Sequence, residues 1–170
     1  TAGRADAYRW SGSVWSQITA PYFSFQGANG TAQWIRLVSD PNSDYIGATE
    51  VDSGADWNAS IWDGSSWGYQ ATENGAVRNN ANQSRTIGAA WDNSSRLVVV
   101  SGQGGNPGSS VIYSSWTLSG GWGRTLAAAQ TFGTWSGAVY GLGLENDEDL
   151  NTILLWGYSD SSDLRTGVWN

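Results

Sequence analysis

Short runs rich in β-branched and aromatic residues alternate along this chain with segments rich in Gly, Asn, Asp, Ser and Pro. Apolar runs of this length, bounded by turn-forming residues, predict β-strands joined by antiparallel hairpins. The clearest turn-forming segments are residues 40–44, 92–95, 102–108 and 145–149. Only residues 126–131 could be helical by pattern, and we predict a loop or strand end there. The pattern therefore predicts an all-β protein.

A tryptophan recurs at nearly constant intervals and defines an internal repeat. Trp10, Trp62, Trp116 and Trp169 are 52, 54 and 53 residues apart, and the clearest copy of the surrounding motif is Trp62-Asp-Gly-Ser-Ser-Trp67. We call Trp10, Trp15, Trp62, Trp67, Trp116, Trp122 and Trp169 the frame tryptophans. A fixed period of roughly 20–50 residues is typical of stacked supersecondary units.

Alignment on the frame tryptophans gives four strand-like runs per period, which we call a to d. The first copy has them at 32–38, 45–51, 57–62 and 66–70. The second has them at 85–91, 96–101, 110–116 and 122–126, and the third has three, at 137–144, 151–157 and 163–169. An additional c and d run lie at 5–10 and 14–18.

The composition of the runs indicates how the sheets pack. Run a carries small residues, Gly88-Ala-Ala90 in one copy and Gly141 and Gly143 in another, as expected of strands crowded near a common axis. Run b is apolar on both faces at 97–100 and 153–156, so we expect neighbouring sheets to cover it on both sides. Four-stranded antiparallel sheets packed face to face around an axis are propeller blades. A β-sandwich is the alternative, but it does not explain the period.

We therefore predict one β-propeller-like repeat domain over residues 1–170, with three four-stranded antiparallel blades of about 53 residues. The blades are expected at 32–70, 85–126 and 137–170, the last lacking its fourth strand, and residues 1–18 would complete a neighbouring blade. Closed propellers have about 4–8 blades, so we expect an incomplete ring that another chain closes or extends. The expected partner is a homo-oligomer or polymer of this chain.

Composition and charge exclude several functions. The chain has no Cys, His, Met or Lys. Disulfides, thiol chemistry, histidine general bases and the usual zinc sites are therefore excluded. We expect no cofactor and no metal. A net charge of −7 argues against nucleic acid as a partner. No window is apolar enough for a membrane span. We expect an extracellular or cell-surface protein that is not an enzyme, since only glycoside hydrolysis on two carboxylates would remain open.

The motif Trp62-Asp-Gly-Ser-Ser-Trp67, with residues 34–44 and 51–53 before it, resembles tandem-repeat bacterial secreted proteins with propeller-like Trp-Asp-Gly-x-x-Trp blades. The turn and strand order also resemble, more loosely, fucose-binding propeller lectins. That resemblance implies a Glu three residues before the frame tryptophan. Fucose recognition is not carried over, because those positions hold Ala7, Ala59, Tyr113 and Thr166. The turn resembles the Asp-box of sialidases only in part, since Asp63 and Gly64 are adjacent.

Candidate ligand-binding residues are tryptophans outside the frame and arginines on the first runs. Frame tryptophans repeat at one structural position, which favours a core role. The candidates are Trp34, Arg36, Trp57, Arg85, Trp91 and Trp135. Core packing is the alternative for each tryptophan, and a buried pair with Glu50 is the alternative for the arginines. The acidic turns 40–44 and 145–149 have oxygen ligands spaced for Ca²⁺, with solvated hairpin turns as the alternative.

These features favour a non-catalytic extracellular module for surface recognition, with glycans as the first ligand class. The alternative function is a structural subunit of an extracellular filament or sheath. In that case residues 5–10 or 14–18 would complete a neighbouring subunit's blade by strand complementation.

Overall fold

A computed structural model describes residues 6–20, 31–73, 85–102, 111–123, 127–128, 139–161 and 164–169. These residues form an all-β structure of several antiparallel sheets, none of which closes on itself. None of them belongs to a helix with the length and apolar character that a membrane crossing requires. Each predicted run overlaps a strand; for the fourth run of the second copy, 122–126, the overlap is Trp122 alone, and residues 124–126 lie outside the described residues.

The N-terminal hairpin is a two-stranded sheet of its own, formed by β1 (Ala7–Trp10) and β2 (Trp15–Ile18). Sheet 1 is four-stranded in the order β3–β4–β5–β6. Its strands are β3 (Ala32–Ser39), β4 (Ile46–Asp52), β5 (Trp57–Trp62) and β6 (Trp67–Glu73). Sequence order and spatial order agree, so sheet 1 is a simple meander.

Sheets 2 and 3 repeat this arrangement. Sheet 2 contains β7 (Ile87–Trp91), β8 (Leu97–Gly102), β9 (Val111–Thr117), β10 (Gly121–Trp122) and β11 (Ala127–Ala128). Both β10 and β11 pair with β9, so together they occupy the fourth-strand position. Sheet 3 has three strands among the described residues, β12 (Val139–Asp147), β13 (Thr152–Ser159) and β14 (Leu164–Trp169).

The core lies between sheets that pack face to face. Trp57 and Ile61 of sheet 1 pack with Trp91, Leu97 and other residues of sheet 2 in one buried cluster. The opposite face of sheet 2 packs on sheet 3 in a second cluster, whose members include Val98, Val100, Leu142, Leu144, Ile153 and Leu155. A two-layer sandwich does not describe this arrangement, because sheet 2 is covered on both faces. The doubly apolar strand β8 is buried throughout, as predicted.

The same prediction is wrong for β13. Ile153 and Leu155 are buried against sheet 2, but Leu154 and Trp156 are 45% and 42% exposed. The reason is that no described sheet packs on the outer face of sheet 3. We call this face, formed by Leu154, Trp156, Tyr158, Leu164 and Val168, the outer face of sheet 3.

The first strands of the three sheets lie side by side, β3 against β7 and β7 against β12. At Gly88 a Cβ atom would lie 2.4 Å from Cδ1 of Leu144 and 3.3 Å from its backbone nitrogen. A side chain here would displace the Leu144 methyl group and press on the Leu144 backbone, so glycine favours this close approach, which agrees with the predicted crowding of run a. Gly141 and Gly143 have a different role, because the rings of Tyr158 and Trp156 occupy the space that their side chains would need.

The turns after Trp10 and Trp62 explain the Trp-x-Gly element that these two copies share. In sheet 1, Oδ1 of Asp63 accepts hydrogen bonds of 2.8 Å from the backbone N–H groups of Ser65 and Ser66, and Gly64 has a φ of +95°. These bonds lower the pKa of the Asp63 carboxyl to about 2. In the N-terminal hairpin, Ser11 replaces the aspartate and Gly12 has a φ of +98°. The turn thus places Trp62 opposite Trp67, and Trp10 opposite Trp15.

The acidic turns are capped hairpin turns. Asp40 accepts hydrogen bonds from the Asn42 N–H at 3.1 Å and the Ser43 hydroxyl at 2.6 Å. Asp147 accepts bonds from the N–H groups of Asp149 and Leu150. Their carboxylates thus act as turn caps, and within the described ranges no group of three acidic residues is arranged to hold a metal ion.

Asparagines connect these turns from sheet to sheet. The Asn42 amide donates to the Asn93 carbonyl at 2.9 Å, and the Asn146 amide donates to Oδ1 of Asn93 at 3.0 Å. Asn93 donates in turn to the Glu148 carbonyl. The three sheets are therefore linked at their first turns as well as through their cores.

Candidate functional site

A cavity of about 180 Å³ lies beside the first strands of sheets 1 and 2. Trp34 and Arg36 project from one face of β3, and Arg85 lies just before β7. With Ile35, Leu37 and Ile87 they line what we call the basic cavity. Three of the six candidate ligand residues are therefore brought together in one place. The cavity is smaller than the roughly 300–1,000 Å³ of sites that enclose a drug-sized ligand, so it suits one small group of a larger ligand.

Arg85 is oriented by an aromatic contact. Its guanidinium carbon lies 5.5 Å from the centroid of the Trp34 ring, which is within the range of a cation–π interaction. Arg85 is exposed and Trp34 is half-buried. The indole therefore holds a cationic, hydrogen-bond-donating group at the solvent side of the cavity.

Arg36 is held by backbone carbonyls of the two other first strands. Its Nε donates to the Ala89 carbonyl on β7 at 3.3 Å, and Nη2 donates to the Leu144 carbonyl on β12 at 3.3 Å. Nη2 also lies 3.5 Å from Oε1 of Glu145, whose side chain is 71% exposed. Arg36 thus connects β3, β7 and β12. Its planar guanidinium group carries several N–H donors, so one side chain can reach carbonyls on two other strands.

The predicted pairing of an arginine with Glu50 is wrong for Arg36. In the register of sheet 1, Glu50 lies opposite Ile35 and Arg36 lies opposite Thr49, so the two charged side chains are on opposite faces. Glu50 is buried, and burial, with a smaller contribution from Asp52, raises its pKa to about 7. The partner of Arg36 is Glu145, which the sequence reasoning did not select because it lies 109 residues away.

A second cavity of about 180 Å³ lies on the other side of Arg36, between Ser39, Trp91 and Asn146, with the carboxylates of Glu145 and Glu148 among its lining groups. We call it the acidic cavity. Arg36 therefore lies between the glutamates of the acidic cavity and the basic cavity. The acidic cavity favours a cationic group of a ligand, and the adjacent basic cavity favours an anionic one.

The candidates Trp57 and Trp91 are core residues, so their prediction as ligand contacts is wrong. Trp57 is 0% and Trp91 is 1% exposed. Trp57 packs edge-on against Trp122 with ring centroids 5.6 Å apart, and Nε1 of Trp91 donates to the Val38 carbonyl at 3.0 Å. Both indoles join sheet 1 to sheet 2. The remaining candidate, Trp135, lies outside the described residues.

The frame tryptophans divide into buried and exposed members. Trp116 is 1% exposed and contacts the rings of Tyr45, Tyr69 and Trp91. Trp169 packs on Tyr113 with ring centroids 4.5 Å apart. These two residues have the core role that was predicted between sheets. Trp10 and Trp15 of the N-terminal hairpin, by contrast, are 49% and 64% exposed.

The hairpin lies beside sheet 1 across an apolar cleft. Ala7, Arg9 and Ile18 from the hairpin and Ile35, Leu37 and Ile46 from sheet 1 line a cavity of about 240 Å³. Because side chains alternate along a strand, Trp10 and Trp15 point away from this cleft.

Comparisons with known proteins bear on the fold alone. No family model matches the chain, and no curated protein matches it. Among solved structures it is similar to the intramolecular trans-sialidase from Ruminococcus gnavus in complex with oseltamivir carboxylate, with a TM-score of 0.54 and 11% sequence identity. The match covers 94% of this chain, which spans 36% of the length of that structure. The sialidase has a β-propeller-type fold, and the sheets of this chain have the same type of arrangement.

Proposed function

We propose that this protein is a non-catalytic module for recognition at extracellular surfaces, and that it binds glycans through the basic cavity. In this proposal sheets 1, 2 and 3 are three blades of a β-propeller-like array with their first strands innermost. The ring is incomplete and is closed or extended by another chain.

The observation that carries the glycan proposal is the convergence of Trp34, Arg36 and Arg85 on one partly open cavity. A sugar ring offers an apolar C–H face together with hydroxyl groups, and it binds best where apolar side chains adjoin fixed hydrogen-bond donors. The half-buried Trp34 indole lines the cavity and supplies the apolar surface. The guanidinium of Arg85 supplies donors in a fixed fork, which also favours a sugar that carries a carboxylate.

The lining of the basic cavity supports binding rather than catalysis. The described residues around it are tryptophan, isoleucine, leucine and arginine, and none of them is a carboxylate, hydroxyl or imidazole that could transfer a proton near neutral pH. The structural similarity to a sialidase supports a fold that can present such a cavity. The choice of ligand class rests on the chemistry of the cavity itself.

A glycan array probed with the multivalently displayed protein tests this proposal. We expect binding to saccharides, stronger for members with a carboxylate than for matched members with a reduced carboxyl group. Arg85→Ala should weaken the signal at least about tenfold, as expected for loss of a charge-assisted contact. Arg9→Ala is the matched control, because Arg9 is an exposed arginine of the N-terminal hairpin. A blank array, or equal signals from Arg85→Ala and the native protein, would contradict the proposal.

A structural subunit of an extracellular filament is a second candidate, favoured by the open edge of sheet 3. Among the described residues β14 pairs only with β13, so its other edge can accept a strand. The N-terminal hairpin is a separate sheet that could supply one by strand complementation. Deleting residues 1–18 should then abolish polymer formation in electron micrographs, and polymers that persist would contradict this candidate.

A further inference from the structure

Two apolar faces are exposed at opposite ends of the set of sheets. The five residues of the outer face of sheet 3 are between 42% and 74% exposed. The register places them on one surface, since Leu154 lies opposite Val168 and Tyr158 lies opposite Leu164. At the other end, Trp10 and Trp15 lie opposite each other on the face of the N-terminal hairpin that points away from sheet 1.

These faces correspond to the two sides of the contact between neighbouring sheets, which the chain forms between sheets 1 and 2 and between sheets 2 and 3. Trp116, the frame tryptophan of sheet 2, packs on Tyr69 of sheet 1 with centroids 5.4 Å apart. Trp169 of sheet 3 packs on Tyr113 of sheet 2 in the same sense. In both cases a frame tryptophan covers the outer face of the preceding sheet. Trp10 is the equivalent residue of the hairpin, and the outer face of sheet 3 is the equivalent acceptor surface.

We propose that the outer face of sheet 3 binds the Trp10 and Trp15 face of the N-terminal hairpin of a second copy of this chain. The contact would repeat the packing between sheets 1 and 2 and between sheets 2 and 3. It joins two different surfaces, so it is heterologous and produces a head-to-tail ring or filament. The proposal is independent of glycan binding, because neither face includes the basic cavity.

The size of the faces sets the expected strength of association. Aromatic side chains bury about 150–250 Å² each when fully covered, so the exposed parts amount to roughly 500 Å² for the outer face of sheet 3 and roughly 300 Å² for the hairpin face. The total of roughly 800 Å² is below the size of a standard specific interface and corresponds to a weak contact. We therefore expect association that depends on concentration and that single substitutions can abolish.

The experiment measures sedimentation of the native chain and of one variant at each face. Leu164→Asp places a charge on the outer face of sheet 3, and Trp15→Asp places one on the hairpin face. Each should raise the apparent dissociation constant at least about tenfold, because an unpaired carboxylate would be desolvated in the contact. Leu118→Asp is the control, since Leu118 is 58% exposed in a turn of sheet 2 outside both faces.

The decisive sample is an equal mixture of Leu164→Asp and Trp15→Asp. Each variant keeps one intact half of a head-to-tail contact, so the mixture should form dimers of one copy of each and nothing larger. A native chain that stays monomeric at every concentration overturns the proposal. So does a mixture that fails to dimerise, or a Trp15→Asp variant that self-associates as strongly as the native chain, which would indicate sheet 3 faces pairing with each other.

Circular dichroism and thermal unfolding establish that each variant is folded. If Leu164→Asp is unfolded, Val168→Asp tests the same face from the same strand. Strand addition at the edge of β14 gives a different result, because it uses backbone hydrogen bonds and would persist in both aspartate variants. That result would also overturn the proposal.

Discussion

Glu50 is an ionisable group in the middle of sheet 1, and its burial predicts an unusual pH dependence of stability. It is 3% exposed, and its Oε2 has no hydrogen-bond partner within the described part of the chain. Burial disfavours the charged carboxylate, and nearby Asp52 adds to the effect, so the pKa rises from 4.5 to about 7. Ionised Glu50 therefore destabilises the folded state.

The sign of the effect follows from proton binding. Between pH 4.5 and about pH 7 the folded chain retains a proton that the unfolded chain has released, so stability falls as pH rises through this window. Above pH 7 the loss is complete. At about 1.4 kcal/mol per unit of pKa, the difference between 4.5 and about 7 corresponds to about 3 kcal/mol.

Glu50→Gln removes the charge and nearly preserves the side-chain volume. We expect the variant to match the native chain at pH 4 and to exceed its free energy of unfolding by up to about 3 kcal/mol at pH 8. Urea unfolding monitored by tryptophan fluorescence at a series of pH values gives this difference directly. Glu148→Gln is the matched control, because it removes a carboxylate from an exposed turn. A difference that is flat with pH, or equal in both variants, would refute the account of Glu50.

Three further predictions concern the links between sheets and the repeat turn. Arg36→Ala should lower the free energy of unfolding by about 1–3 kcal/mol in urea melts, because the Ala89 and Leu144 carbonyls lose a donor. Gly88→Ala should lower the free energy of unfolding by about 1–3 kcal/mol in the same assay, because the added Cβ would lie 2.4 Å from a Leu144 methyl group. An unchanged urea midpoint would contradict the close packing of β7 on β12. The Asp63 carboxyl should titrate near pH 2 by NMR. Its contribution to stability is therefore lost as pH falls from about 4 towards 2. A titration midpoint near pH 4 would show that the turn is open in solution.

Local chemistry made the strands and the repeat predictable. The frame tryptophans are recognisable by their spacing alone, and the capping side chains of Asp63 and Ser11 and the glycines at positive φ act within six residues of sequence. Such short-range features are visible in a sequence without knowledge of the fold. The buried positions of Trp57 and Trp91 could also have been found, because strand alternation places Trp57 with Ala59 and Ile61, and Trp91 with Ala89.

Contacts between distant residues were not predictable in the same way. Arg36 reaches carbonyls 53 and 108 residues away, and its partner Glu145 belongs to a third sheet. The sequence reasoning expected neighbouring sheets on both faces of β13, because its run is as apolar as β8. Composition does not state which face of a strand is covered. Only the arrangement of the sheets distinguishes Leu155, which is buried, from Leu154 beside it.

The most direct test of the proposed function is to map a bound saccharide by amide chemical shifts in an isotopically labelled protein. An oligosaccharide that carries a carboxylate should shift the resonances of residues 34–37 and 85–87, and Arg85→Ala should abolish those shifts while leaving the rest of the spectrum unchanged. Shifts confined to other surfaces, or no shifts at saturating saccharide, would contradict glycan recognition at the basic cavity.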